Sequence, residues 1–222
     1  MKEYREYFLP DGLVADRRKW TKKHAEIYFQ WFIENKSDRI DYFLNYFNER
    51  FEDYGESDVK RLSQKLYDRL TQEDCWFFDT VEVKIKIAQE TRYETVKALT
   101  DLGRAIASDF GIVFSFILEN KISGLNWIIS KEDKRFLSYK SPVLTGFRKG
   151  QSSAVYDPFH MGIGNSSVML NYNNPNEWPD FYKTIIVMWN RKTPTVAELL
   201  ERQRQGKSIN IEEIQRERGW ID

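Results

Sequence analysis

Residues 109–127, DFGIVFSFILENKISGLNW, carry the decision about the fold. Ile112, Val113, Phe114, Phe116, Ile117 and Leu118 leave no polar face, so an element built from them is buried on all sides. Gly111 interrupts this helical pattern, where glycine costs about 1 kcal/mol relative to alanine. A glycine at such a place marks either the close approach of another backbone or a boundary between two helices. Before this stretch the pattern is mainly helical, and after Gly124 it turns to strand. The chain therefore reads as an α+β protein: a helix-rich N-terminal half packed with a small, mostly antiparallel sheet in the C-terminal half. Residues 1–192 form the expected single domain, and 193–222 a charged helical arm.

Toward the N-terminus, Pro10-Asp11-Gly12 is a turn, and Tyr4, Tyr7 and Phe8 before it are expected to dock on the body. A helix follows Thr21, with Ala25, Tyr28, Phe29 and Phe32 at helical spacing and Trp31 widening the stripe. Ser37-Asp38 signals a second start, followed by Ile40, Phe43, Leu44, Phe47 and Phe51 and an end near Gly55. Val59, Leu62, Leu66 and Leu70 define a third helix. Residues 80–87 alternate strictly between apolar and polar, which predicts a half-buried strand. From Thr91 the spacing of Val96, Leu99 and Ile106 predicts a long helix.

Toward the C-terminus, strands are expected at 125–129, at 136–139 or onward through 142–144, and at 167–172, so that the sheet comes mainly from 125–172. Asn173-Asn174-Pro175-Asn176 is a turn, and Pro179-Asp180 leads into a helix with Phe181, Ile185, Met188 and Trp189.

Composition excludes several function classes. The 34 basic and 34 acidic residues cancel, so only local patches can attract nucleic acid or membrane. The N-terminus lacks the apolar segment of a signal peptide, and no stretch is long and apolar enough to span a bilayer. With the single Cys75 unable to form an intramolecular disulfide, a cytoplasmic protein without membrane attachment is expected. His24, His160 and one cysteine cannot assemble a zinc pattern, so no metal site is read. Gly162-Ile163-Gly164-Asn165 lacks the third glycine of a dinucleotide loop and no phosphate-binding P-loop occurs, so no cofactor is read either.

Two local clusters stand out. Asp157 and His160, held near each other by the turn-forming Pro158, are the candidates for acid–base chemistry, set against an ordinary Asp-Pro turn. Arg17, Arg18, Lys19, Trp20, Lys22 and Lys23 place five cations and an aromatic at a helix start, where the helix dipole favours acids. They form a candidate partner-binding surface, with Trp20 either stacking on a partner or stapling the helix. Cys75 beside Trp76, Phe77 and Phe78 reads as a buried structural thiol.

Asp109-Phe110-Gly111 and the apolar run after it, Glu119-Asn120, Leu125, Trp127, the segment from Pro142 to Phe147 and Asp157-Pro158 form a recognisable set. Together they resemble cytoplasmic α+β proteins of Gram-positive bacteria, some of which read like immunity proteins of polymorphic toxin systems. The similarity covers residues 95–190, with a looser echo in the helical region 20–44. Val113 and Ser115 depart from the aromatic and the further glycine that such proteins carry after the Asp-x-Gly. The resemblance implies no catalytic residues. The expected function is non-enzymatic binding of a protein partner, with nucleic-acid association through the basic cluster and catalysis near Asp157 and His160 as the alternatives. Self-association stays open.

Overall fold

The computed structural model describes residues 4–5, 9–14, 16–85, 90–147, 155–190, 201 and 204–205. In chain order it contains a 3-10 turn at Arg17–Lys19, α1 (Lys22–Phe47), α2 (Glu56–Leu70), a second 3-10 turn at Glu73–Cys75, the strands β1 (Trp76–Ile85) and β2 (Glu90–Leu99), α3 (Asp101–Lys121), β3 (Asn126–Ile129), β4 (Pro142–Thr145), α4 (Pro158–Asn171) and α5 (Glu177–Asn190). This is an α+β fold. No helix among the described residues is long and apolar enough to cross a membrane.

Helix α3 is the central element, as its all-round apolar pattern predicts. Thr100 caps it by accepting a hydrogen bond from the Gly103 amide at 3.2 Å, and Ile106, Phe110, Ile112, Val113, Phe114, Ile117 and Leu118 are fully enclosed. It packs against α1, α2 and α4. Gly111 marks a close backbone approach and not a break. A Cβ there would fall inside the contact distance of the Pro158 carbonyl oxygen, and one at Gly162 would meet the Ala107 carbonyl. The two glycines let α3 and α4 cross with their backbones touching.

Helix α1 runs unbroken through Ser37-Asp38, where a second helix start was expected. Its buried stripe skips from Phe32 to Ile40. In that gap Lys36 pairs with Glu119 at 3.1 Å, and the Arg39 Nε donates to Asp109 Oδ1 at 2.9 Å. The polar interruption is satisfied by acids on α3, so the helix continues and ends at Asn48 in the left-handed region, φ 54°.

Three expectations for the sheet are corrected. The helix predicted from Thr91 is instead β2, paired antiparallel with β1 from Trp76↔Leu99 to Ile85↔Glu90. The spacing of Val96, Leu99 and Ile106 straddles a strand–helix junction, while Thr91, Tyr93, Thr95 and Val96 are strand-favouring residues. The strand predicted at 167–172 lies inside α4: Asp157 and Pro158 start a helix ten residues earlier, and once begun it carries Met169 and Leu170 into the core. Of the two placements expected for the second strand, 136–139 form turns, while 142–144 is the strand β4, paired with β3. The sheet is therefore not one unit from 125–172 but two antiparallel pairs, β1–β2 and β3–β4, with Leu144 also bridging to Tyr156.

The arm expected at 193–222 lies outside the described residues apart from Glu201, Arg204 and Gln205, and so do Tyr7 and Phe8. Tyr4 does dock: it is buried, and its hydroxyl donates to Asp109 Oδ2 at 2.5 Å.

Candidate functional site

The basic residues at the start of the chain divide between two elements. Asp16 caps the 3-10 turn by accepting from the Arg18 amide at 3.1 Å, and its carboxylate also pairs with the Arg18 side chain at 2.9 Å. Thr21 caps α1 in a reciprocal arrangement: its hydroxyl accepts from the His24 amide, and the Thr21 amide donates to His24 Nδ1. Only Lys22 and Lys23 thus oppose the α1 dipole, whereas Arg17, Arg18 and Lys19 lie outside the helix. Trp20 is not a surface aromatic. It is 3% exposed, donates from Nε1 to the Val14 carbonyl at 2.7 Å and meets the Tyr28 ring edge-on. The ring packs the chain onto α1 at Tyr28 and is not presented on the surface.

Arg17 reaches across the molecule. Its Nη1 donates to the Leu137 carbonyl at 3.4 Å and to the Ser141 hydroxyl, and lies 3.8 Å from Asp157 Oδ2. The guanidinium also sits 6.0 Å from the ring centres of Tyr28 and Phe159. Asp157, 3% exposed, caps α4 through Oδ1, which accepts from the amides of Phe159 and His160 at 3.0 and 3.1 Å. Its Oδ2 has no hydrogen-bond donor among the described residues and faces only the Arg17 charge. Asp157 and His160 are therefore joined through a backbone amide in a helix cap. His160 itself is exposed on the rim of the same surface.

The third component is the 130–141 segment that links β3 to β4. Hydrogen bonds between the Ser130 amide and the Ser141 carbonyl, and between the Ser141 amide and the Ser138 carbonyl, close its base. Lys140 holds a left-handed backbone, φ 59°, which a residue with a side chain adopts only where neighbours impose it. Its ammonium donates to the Trp20 carbonyl and lies 4.7 Å from the Tyr139 ring centre. At the tip Phe136 is 56% and Leu137 70% exposed, next to Lys134 and Arg135. The sequence pointed to no binding role here because Phe136 and Leu137 read as the start of a strand at 136–139. The legible signal was an aromatic–aliphatic pair, Phe136-Leu137, inside it.

Together these elements enclose a cleft of about 450 Å³. Arg17, Arg18, Lys134 and Arg135 supply its cations, Asp16 its acid, and Phe136, Leu137, Phe159 and Ile163 its apolar surface. On the other side of Tyr139 lies an apolar groove of about 530 Å³ floored by Ala25, Phe29, Trp127 and Ile129, with Lys22, Lys131 and Lys140 around it. The structure thus brings Arg17, Arg18 and His160 to one cleft and Lys22 to the neighbouring groove. Lys19 and Lys23 are exposed and line neither.

Among the described residues no group of three or more His, Cys, Asp or Glu could hold a metal ion. Cys75 is buried, accepts a hydrogen bond from Arg69 at 2.9 Å, and its thiol is pushed up to about 12 by burial, the setting of a structural thiol. Compared with known protein families, curated proteins and solved structures, the chain matches none of them.

Proposed function

We propose that the protein is a non-enzymatic binding protein of the bacterial cytoplasm, immunity-like in acting by occupying another protein. The contact face is formed by the 131–140 loop, the Arg17–Lys19 turn and the start of α4. The observation that carries this reading is the presentation of Phe136 and Leu137 at a loop tip, largely exposed, beside a cluster of cations. Apolar anchors within a polar rim match the anatomy of a protein interface. The unpaired Cys75 fits a reducing compartment. Catalysis at Asp157 is disfavoured because its carboxylate is enclosed and committed to capping α4 and facing Arg17.

The same four cations favour a second reading, nucleic-acid association. Affinity capture from the source cell at low and high salt separates the two. A protein that is retained at high salt by the wild type and lost from Leu137→Asp supports the first reading. Nucleic acid that is released steeply as salt rises, and is indifferent to Leu137→Asp, supports the second.

A further inference from the structure

Resting on that protein-binding reading, we infer that the cleft takes an acidic peptide segment of the partner, with carboxylates on the arginines and one bulky apolar side chain against Phe136 and Leu137. The argument begins with charge. The chain as a whole is neutral, 34 basic against 34 acidic residues, while four cations line this cleft with one acid among them, and even with Asp133 and Asp157, which meet Arg135 and Arg17 from outside the lining, the site keeps a positive excess. That acid, Asp16, is already engaged by the Arg18 amide and side chain.

The cations differ in how they are held. Arg17 is 25% exposed and pinned by Leu137 and Ser141, with its three polar contacts on one nitrogen, Nη1. Asp157 behind it offsets part of its charge but lies outside the cleft lining. Arg18 and Arg135 instead extend into solvent, paired with Asp16 and Asp133 on their own loops. Exposed pairs of this kind hold their partners weakly, so either guanidinium can exchange its neighbour for an incoming carboxylate, which a guanidinium fork meets with two parallel hydrogen bonds. One fixed cation and two adaptable ones make a site that selects carboxylates by position.

The shape of the cleft favours a peptide over a nucleic acid. A single strand is gripped by aromatic faces for its bases and cations along its backbone. Here the walls combine the rings of Phe136, Tyr139 and Phe159 with aliphatic Leu137 and Ile163, and the cations converge on one cleft of about 450 Å³, room for a few side chains and not a track along a strand. That shape suits two or three carboxylates flanking an apolar residue.

The test is to pan a library of short random displayed peptides against the full-length protein, and to measure the selected consensus peptide by fluorescence anisotropy. Wild type, the double variant Arg18→Glu with Arg135→Glu, the same positions changed to Lys, and Leu137→Asp are compared. The expected consensus places at least two Asp or Glu around one Leu, Phe or Trp. Its affinity falls by roughly tenfold or more in the Glu variant, is largely kept in the Lys variant, and falls in Leu137→Asp. A neutral or basic consensus, no consensus, affinity indifferent to charge reversal, or displacement of the peptide by an equal concentration of single-stranded oligonucleotide would overturn the inference. A partner captured through Leu137 without an acidic consensus removes this inference alone. Failure of the capture itself removes the reading beneath it.

Discussion

Asp109 is an ionisable residue held inside the core. Its carboxylate is fully enclosed and receives hydrogen bonds from Arg39 Nε, Arg39 Nη2 and the Tyr4 hydroxyl. Burial pushes it up to about 6, while Arg39 and Tyr4 pull the other way. Because the folded value lies above the unfolded one, near 3.9, its contribution to stability is complete below that value and is lost as pH rises through about 6. The unfolding free energy of the wild type relative to Asp109→Asn should therefore fall, by an amount on the order of 2 kcal/mol, as pH is raised from about 4 to 7. Urea titrations across that range check this, and a difference that stays flat or rises contradicts it. Two glycines give a paired prediction. Gly111→Ala drives a methyl into the Pro158 carbonyl and should cost about 1–3 kcal/mol or more. Gly164→Ala, with nothing within 4 Å of its Cβ and a helical backbone, should stabilise by roughly 0.5–1 kcal/mol. Thermal unfolding of the two variants should show opposite signs, and two shifts of the same sign would contradict the packing described for α3 and α4.

Helix α4 depends on its first turn, and so does the cleft. Asp157→Ala removes two cap hydrogen bonds and the negative charge facing Arg17, and should cost about 1–2 kcal/mol. Asp157→Asn keeps an acceptor for the cap and should cost less, so chemical denaturation of the pair separates capping from the ionic contact. Equal losses would mean that the cap is not what Asp157 provides. The same helix shows why some elements were legible and others not. The apolar run from Ile112 to Leu118 pointed to a buried element and residues 80–85 of β1 alternated strictly, whereas the two readings of Gly111 were decided only by the Pro158 carbonyl packed against it. Residues 167–172 admitted two readings, because a short apolar run suits a strand or a helix equally, and the decision was made at Asp157-Pro158. At β2 a helical spacing arose by accident across the Thr100 cap. The α1 continuity depended on Lys36 and Arg39 finding acids on α3, about seventy residues or more away in sequence, which no local pattern records.

The whole molecule carries no net charge, so what distinguishes its surface is arrangement. The basic cluster near the N-terminus and the Asp157–His160 segment were each visible in the sequence. Their meeting was not, because it is mediated by Arg17 reaching Leu137 and Ser141 more than a hundred residues later. The face they form with Phe136 and Leu137 is the basis of the proposed partner binding, and its cations should make association faster at low salt while the apolar anchors keep the complex together at high salt. The measurement that tests this most directly is photo-crosslinking in the source cell, with a photoreactive residue placed at Leu137 and, for comparison, at the exposed Tyr93 on β2. One discrete protein adduct from position 137, absent from position 93 and suppressed by Arg18→Glu with Arg135→Glu, is the predicted result. No protein adduct at 137, or the same adducts from both positions, would contradict it.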